Sequence, residues 1–229
     1  MTTIFQEQVI CGLCGQRQSV NEIGSTNSFG AMDLDTRPPE MRRSTMAYWV
    51  HECTECGFVA PEIGKTVATD AKRVASEEYR TELHRADRAR LANRFVCCSL
   101  LEEAAGDLSS AGWRRVHAAW ACDDAEQAGE ARVQRLAALE LFERARASGE
   151  QAMKSAAGGD EILLADLARR CGEFERALEY CEAGIALPEL PAFVTSLLLR
   201  ERELVLARDT ACHTVAEADD VGGTRGTVH

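Results

Sequence analysis

"CGLCG", residues 11–15, and "CTECG", residues 53–57, are two copies of one short device, and their reading decides the fold. In each copy two residues separate a pair of cysteines, and a glycine follows. That spacing lets a tight turn aim both thiolates at one ion, while Gly15 and Gly57 supply positions where a positive φ costs nothing. Backbone N–H groups in such a knuckle turn inward and can hydrogen-bond the sulfurs. Cys11, Cys14, Cys53 and Cys56 therefore read as a closed tetrahedral site for one Zn2+ per chain. The site is structural, because four thiolates leave no coordination position for water or substrate. Iron, as a rubredoxin-type centre or a cluster, would accept the same ligands. A thioredoxin-type dithiol would set its first cysteine at a helix N-terminus, whereas non-helical "QRQSV" and "FVAPEIG" follow the two pairs here.

Ten cysteines in 229 residues would suit a disulfide framework only in an oxidising compartment. The start "MTTIFQEQVI" lacks the basic and long apolar stretches of a secretory signal, and no run of about 18 apolar residues suggests a membrane span. A cytoplasmic location is expected. Cys97, Cys98, Cys122, Cys171, Cys181 and Cys212 are read as small apolar core residues. His51, two residues before Cys53, is expected beside the metal or on the surface, since a fifth ligand is unnecessary. A net charge of −11 argues against a phosphate-backbone partner. The cysteine-bearing part does not hide a basic module, because residues 1–66 carry five Lys/Arg against eight Asp/Glu.

The interval between the knuckles, residues 15–52, is longer than the 15 to 20 residues of a compact ribbon, so it needs a structure or function of its own. Its densest part is "MDLDTRPPEMRRSTMAYW", residues 32–49. Asp33 and Asp35 would share a face of an extended strand, and Arg37, Arg42 and Arg43 surround a rigid Pro38–Pro39 bend. The arginines could simply offset the net charge of about −2 on a tetrathiolate zinc. Alternatively, Asp33, Asp35, Arg37, Arg42, Arg43, Tyr48 and Trp49 could form a recognition surface for a peptide or an anionic ligand. No Gly-rich phosphate loop, nucleophile elbow or His-Glu metalloprotease helix occurs, so no catalytic residue is assigned.

Composition shifts near residue 67 from Gly, Ser, Asn, Pro and β-branched residues to Ala, Leu, Glu and Arg. The fold class expected is α+β, mostly α. A small zinc-ribbon-like β domain (1–66) would be followed by an α-helical, tetratricopeptide-like bundle (67–212) and a disordered tail (213–229). Seven helices are expected, over 70–84, 89–106, 108–122, 130–149, 160–171, 174–187 and 191–210. Trp113, Val116 and Trp120 should bury one face, and Phe193, Val194, Leu197, Leu198, Leu204 and Val205 another. "AALELFERARA" (137–147) and "RALEYCEAGIA" (176–186) form a weak repeat, the second preceded by "LADLARRCGEF" and a turn at Gly172.

The order "VICGLCG … DLDTRPPEM … YWVHECTECGFVAPEI", followed by "HAAWACDD" and "RLAALELFERA", resembles the bacterial family catalogued as domain of unknown function 2225, over residues 8 to about 190. The resemblance implies a metal-binding N-terminal part, with Cys11, Cys14, Cys53 and Cys56 as its two pairs, and a helical repeat-like part. No reaction is attached to that family. "CTECGF" departs from its more usual C-P-x-C-G-Y and leaves the ligands intact. The function expected is a non-enzymatic zinc-binding adaptor that meets a protein or peptide partner through its helical pairs. A nucleic-acid-binding ribbon, or an enzyme or ligand-binding protein using Asp33, Asp35 and Arg37, is the alternative.

Overall fold

The computed structural model describes residues 1–153 and 157–217. The fold is α+β and mostly α, as the composition implies. Its sheets are two antiparallel hairpins. β1 (Thr3–Ile10) pairs β2 (Arg17–Ser25) in a register running from Ile10↔Arg17 to Thr3↔Ser25, with a shift between Thr3 and Ile4. β3 (His51–Glu52) pairs β4 (Val59–Ala60). Each hairpin turn is one of the cysteine knuckles. A 3-10 helix spans Arg43–Tyr48 between them.

Helices follow along the chain: α1 (Asp70–Val74), α2 (Glu77–Leu83), α3 (Arg90–Ala104), α4 (Leu108–Asp124), α5 (Ala128–Ala147), α6 (Gly159–Arg170), α7 (Phe174–Ile185) and α8 (Ala192–Leu206). The stretch expected as one helix over 70–84 breaks at Ser76. Its backbone is extended there (φ −69°, ψ 149°), and its Oγ accepts the Tyr79 N–H at 3.3 Å. An N-cap serine followed by Glu77 and Glu78 starts a new helix more favourably than it continues an old one.

The chain forms two compact units whose division differs from the boundary suggested by composition. Unit 1 is Met1–Ser28 with Met41–Ala152, and unit 2 is Phe29–Glu40 with Met153–His229. The reason for the later boundary is burial. A two-hairpin lobe has little core of its own, and in unit 1 it shares one with the helices that follow. Tyr79 and Leu83 of α2 are fully buried with Phe58 and Val59, and the Tyr79 hydroxyl donates to Gly57 O (2.9 Å) and accepts from Val59 N–H (3.1 Å).

Within unit 1, α3, α4 and α5 pack side by side, and Gly112 shows how closely. A Cβ added there would lie 2.5–2.9 Å from the Phe142 ring of α5. Alanine is the better helix former by about 1 kcal/mol, but overpacking a fitted core costs about 1–3 kcal/mol. Gly112→Ala is therefore expected to lower the denaturation midpoint despite its gain in helix propensity, and equilibrium unfolding in urea measures it. Beside Gly112, His117 is ringed by Trp49, Phe95, Trp113 and Trp120 at centroid distances of 5.0–6.2 Å. Burial, and secondarily Arg114, lowers its pKa to about 3. Val116 and Trp120 are buried and Trp113 is half-buried, as their spacing predicts.

Unit 2 is built on α6, α7 and α8. α6 ends at Gly172 (φ 76°) and α7 begins two residues later, the helix–Gly–helix arrangement expected from "LADLARRCGEF". The two similar segments at 137–147 and 176–186 fall in different units, α5 in unit 1 and α7 in unit 2, so each packs against its own neighbours. Val194, Leu197, Leu198, Leu204 and Val205 are buried on α8 as expected. Phe193 is 52% exposed, because it lies one position off that stripe at the start of the helix. Arg169 is wholly buried at the centre of the unit. Its Nε donates to Glu201 (2.9 Å), its Nη2 to Asp166, and its Nη1 to the carbonyls of Asp209 (2.8 Å) and Ala211 (2.9 Å).

The segment Phe29–Glu40 lies on unit 2 as a strap. Phe29 N–H donates to Glu40 O at its neck (3.3 Å). Leu34 is 1% exposed within an apolar cluster with Ile162, Val194, Leu197, Leu198 and Leu204. The Leu34 N–H donates to His213 O and the Val215 N–H to Met32 O, each at 2.9 Å, and Asp33 bridges Thr214 antiparallel. The tail expected from residue 213 thus starts with backbone paired at 213–215, because these groups bond the strap. The rest of that expectation, residues 218–229, lies outside the described residues. Five of the six remaining cysteines are buried as expected; Cys212 is exposed and follows α8 rather than filling a core.

Candidate metal centre

Both knuckles have the same backbone plan. In the first, Cys11 N–H donates to Gln16 O (2.8 Å) and Gly15 N–H to Cys11 O (2.9 Å); in the second, Cys53 N–H donates to Phe58 O (2.8 Å) and Gly57 N–H to Cys53 O (2.9 Å). The chain turns at Gly15 (φ 76°) and Gly57 (φ 74°), the left-handed positions that the two glycines were read to supply. At Gly57 a side chain is excluded twice over, since a Cβ would meet Leu83 Cδ2 at 2.8 Å and Arg80 Nη1 at 3.1 Å.

These turns bring the four sulfurs together. Cys11 Sγ lies 3.8 Å from Cys56 Sγ, Cys14 Sγ lies 3.6 Å from Cys53 Sγ, and all four lie within 4.8 Å of one another. Sulfurs at tetrahedral corners about 2.3 Å from one ion stand about 3.8 Å apart. A disulfide would hold two of them at about 2 Å. The donor set fits a metal ion and leaves the thiols unpaired with one another. Among the described residues no other group of three or more Cys, His, Asp or Glu ligand atoms is so clustered.

The electrostatics follow from burial and from inward-turned amides. Burial raises the Cys11 and Cys56 thiols above the ordinary range, against N–H groups of Cys14 and Leu13 on Cys11 and of Phe58 on Cys56. Cys53 is lowered. Burial pushes it up, but the N–H groups of Cys56 and Glu55 and the neighbouring thiols outweigh that. Donors aimed at sulfur are what a thiolate ligand needs.

Several supports carry no signal in the sequence. Gln18 of β2 reaches across to the second knuckle, its Nε2 donating to Glu52 O (2.9 Å) and its Oε1 accepting from Thr54 N–H (3.1 Å). Gly12 N–H donates to Ile63 O (3.0 Å), which ties the loop after β4 to the first knuckle. The Arg80 guanidinium lies beside Gly57 of the second knuckle. Glu52 is braced by Arg90 (2.5 Å) and Arg94 (3.0 Å) of α3. His51 is buried outside the cluster of four sulfurs, and its Nε2 lies 2.9 Å from Glu22 Oε1 on β2.

The seven residues read as a possible recognition surface are divided. Asp33, Asp35 and Arg37 lie in the strap on unit 2 and are 3%, 0% and 6% exposed. Asp35 pairs with Arg170 (2.8 Å) and accepts the Arg37 N–H (3.2 Å). Arg42, Arg43, Tyr48 and Trp49 lie on and beside the 3-10 helix of unit 1. Trp49 packs on His117, and its Nε1 donates to Thr45 Oγ1 (3.0 Å). The trio is buried rather than displayed on a surface.

Fold and site together define a mostly helical α+β protein in which two hairpins hold four cysteines at metal-binding distance. No family model, no curated protein and no solved structure matches the chain. No helix among the described residues is long and apolar enough to cross a membrane.

Proposed function

We propose that the protein is a non-enzymatic zinc-binding scaffold, in which Cys11, Cys14, Cys53 and Cys56 hold one structural Zn2+ and the helical unit 2 holds extended protein segments. Zinc is favoured over iron as the commoner occupant of two such knuckles. When bound, it supplies a cross-link between the hairpins and no reaction. The chain's own residues do the rest. The amides of Leu13, Cys14, Glu55, Cys56 and Phe58 stabilise thiolate, while Gln18 ties the first hairpin to the second knuckle. Ten cysteines free of disulfides suit a reducing, cytoplasmic setting. The motif order resembling domain of unknown function 2225 is in keeping with this assignment and adds no reaction to it.

The observation that carries the scaffold reading is that unit 2 already accommodates an extended segment, Phe29–Glu40, by backbone pairing, an aliphatic anchor and an ion pair. The same devices are used for peptide recognition by strand addition and by helical grooves. Two measurements test the reading. Elemental analysis of purified protein should return one zinc per chain. A photo-reactive side chain introduced at exposed Phe193 of α8 should cross-link a partner in cells, while the same group at exposed Val133 of α5 should not. Equal capture at both positions, or at neither, would remove unit 2 as the partner surface.

A further inference from the structure

We propose that unit 1 carries a binding site for a small organic cation, a cavity beside α3 that takes an ammonium group on a short alkyl or aryl body. None of the four cysteines lines this cavity, so the inference stands apart from the metal reading.

The first observation is the size and lining of the cavity. It encloses about 230 Å³ between the loop after β4, the start of α1 and the second half of α3. Sites for drug-sized ligands run from about 300 to 1,000 Å³, so its occupant is smaller than these. Phe58, Val59, Pro61, Val67 and Leu101 supply an apolar wall. Asp70, Glu102 and Asp107 add three carboxyl groups, and Lys65 is the one basic residue among the described residues that line it. The lysine does not offset them, since its Nζ pairs with Glu62 (2.5 Å) and both side chains are largely exposed. An apolar wall with acidic groups set into it complements a ligand that has one apolar body and one positive end. The net charge of −11 on the chain adds a field that draws small cations and repels anions.

The second observation is a buried carboxylate that lacks a donor. Asp70 is 4% exposed. Its Oδ2 accepts the Val67 N–H at 2.8 Å, while its Oδ1 has no hydrogen-bond or ion-pair partner among the described residues. Taking a carboxylate out of water is costly unless a cation or further donors replace the water. Glu102 is better served, accepting from Arg114 Nε at both oxygens (2.9 and 3.2 Å) and from the Cys98 thiol (3.6 Å). Burial nonetheless raises it above the ordinary carboxylate range. A positive group in the cavity would stabilise both. A metal ion does not fit, because it needs ligand atoms that converge, and among the described residues the four sulfurs form the cluster of that kind. An organic ammonium needs one carboxylate at its head, here Asp70 Oδ1, and an apolar surface along its body, here Val59, Val67 and Leu101.

The test titrates the full chain with hexylammonium, hexanol and hexanoate and follows amide chemical shifts by NMR. Hexylammonium should shift the amides of Val59, Val67 and Ala105 saturably, while those inside α7 stay in place. Hexanol has the same chain without the charge and should bind roughly tenfold more weakly or worse, with hexanoate weaker again. Asp70→Asn keeps an acceptor for the Val67 N–H and loses the charge, and it should weaken hexylammonium binding about fivefold or more. Equal affinity for the alcohol and the ammonium, or full affinity in folded Asp70→Asn, would overturn the assignment. Shifts that do not saturate, or that map away from the cavity, would overturn it as well. Should Asp70→Asn fail to fold, the comparison of ammonium with alcohol on the native chain decides the matter alone.

Discussion

Cys11→Ser combined with Cys14→Ser is expected to unfold the two hairpins while leaving most of the helix in place. Structural zinc contributes on the order of 10–16 kcal/mol in small modules at neutral pH, and a whole domain is stable by only about 5–15 kcal/mol. The hairpins have nothing of comparable size to replace it. β1 is solvated along most of its length, β3 and β4 contribute two residues each, and Phe58, Val59 and Ile63 are their main buried apolar groups. The helices α3, α4 and α5 have their own interface through Ala111, Val116, Ala138 and Phe142, all buried. Far-ultraviolet circular dichroism should therefore keep its helical minima, while the amides of β1 and β2 lose protection. Protected hairpin amides in the serine variant would show that packing, not the ion, holds the lobe.

Arg169→Met is expected to be the most damaging single change in unit 2. The guanidinium faces two buried carboxyls, Asp166 and Glu201, and two carbonyls of the chain after α8. Removing one partner of a buried ionic cluster costs about 3–5 kcal/mol, and here the carbonyls of Asp209 and Ala211 lose their donor as well. A thermal unfolding scan measures the loss. The cluster also has a pH signature. Burial first, and then the neighbouring Asp166 charge, holds Glu201 well above the usual carboxylate range. The native state thus retains a proton that the unfolded chain releases near pH 4.3, an ordinary glutamate value of about that size. With more protons bound to the folded form, stability from this group is complete below that pH and declines as pH rises toward the raised native pKa. Glu201→Gln keeps the shape and the hydrogen bond to Arg169 without the titration. The difference in stability between the two proteins should therefore shift steadily in favour of Glu201→Gln as pH rises from 5 to 8. A difference independent of pH would mean that Glu201 is ionised in the fold.

What could be read from the chain was local. The knuckles were legible because C-x-x-C-G fixes ligand spacing and turn geometry within five residues, and Gly15 and Gly57 adopt the positive φ that reading requires. Helices α3 to α8 were legible from apolar spacing and from turn glycines such as Gly172. The α1–α2 break was available in "SEEY" at residues 76–79 and is easily passed over, because an amphipathic pattern runs through it. The destination of the strap was not legible. Leu34 meets α8 some 160 residues later, and Asp35 meets Arg170 across 135 positions; periodicity carries no information about partners so distant. The same holds for Gln18 and Arg80 at the metal centre, polar residues whose role depends on which loop folds beside them. Burial of Asp33, Asp35 and Arg37 also runs against the ordinary placement of charged residues, and the sequence left a structural role and a recognition role both open for them.

The central claim is that one ion bonded to four sulfurs holds the hairpins together. X-ray absorption at the zinc edge of the purified chain measures this directly. The account predicts a first shell of four sulfurs at about 2.3 Å, with no nitrogen or oxygen neighbour. A mixed shell with oxygen or nitrogen, or protein free of metal with its cysteines joined in pairs, would contradict it.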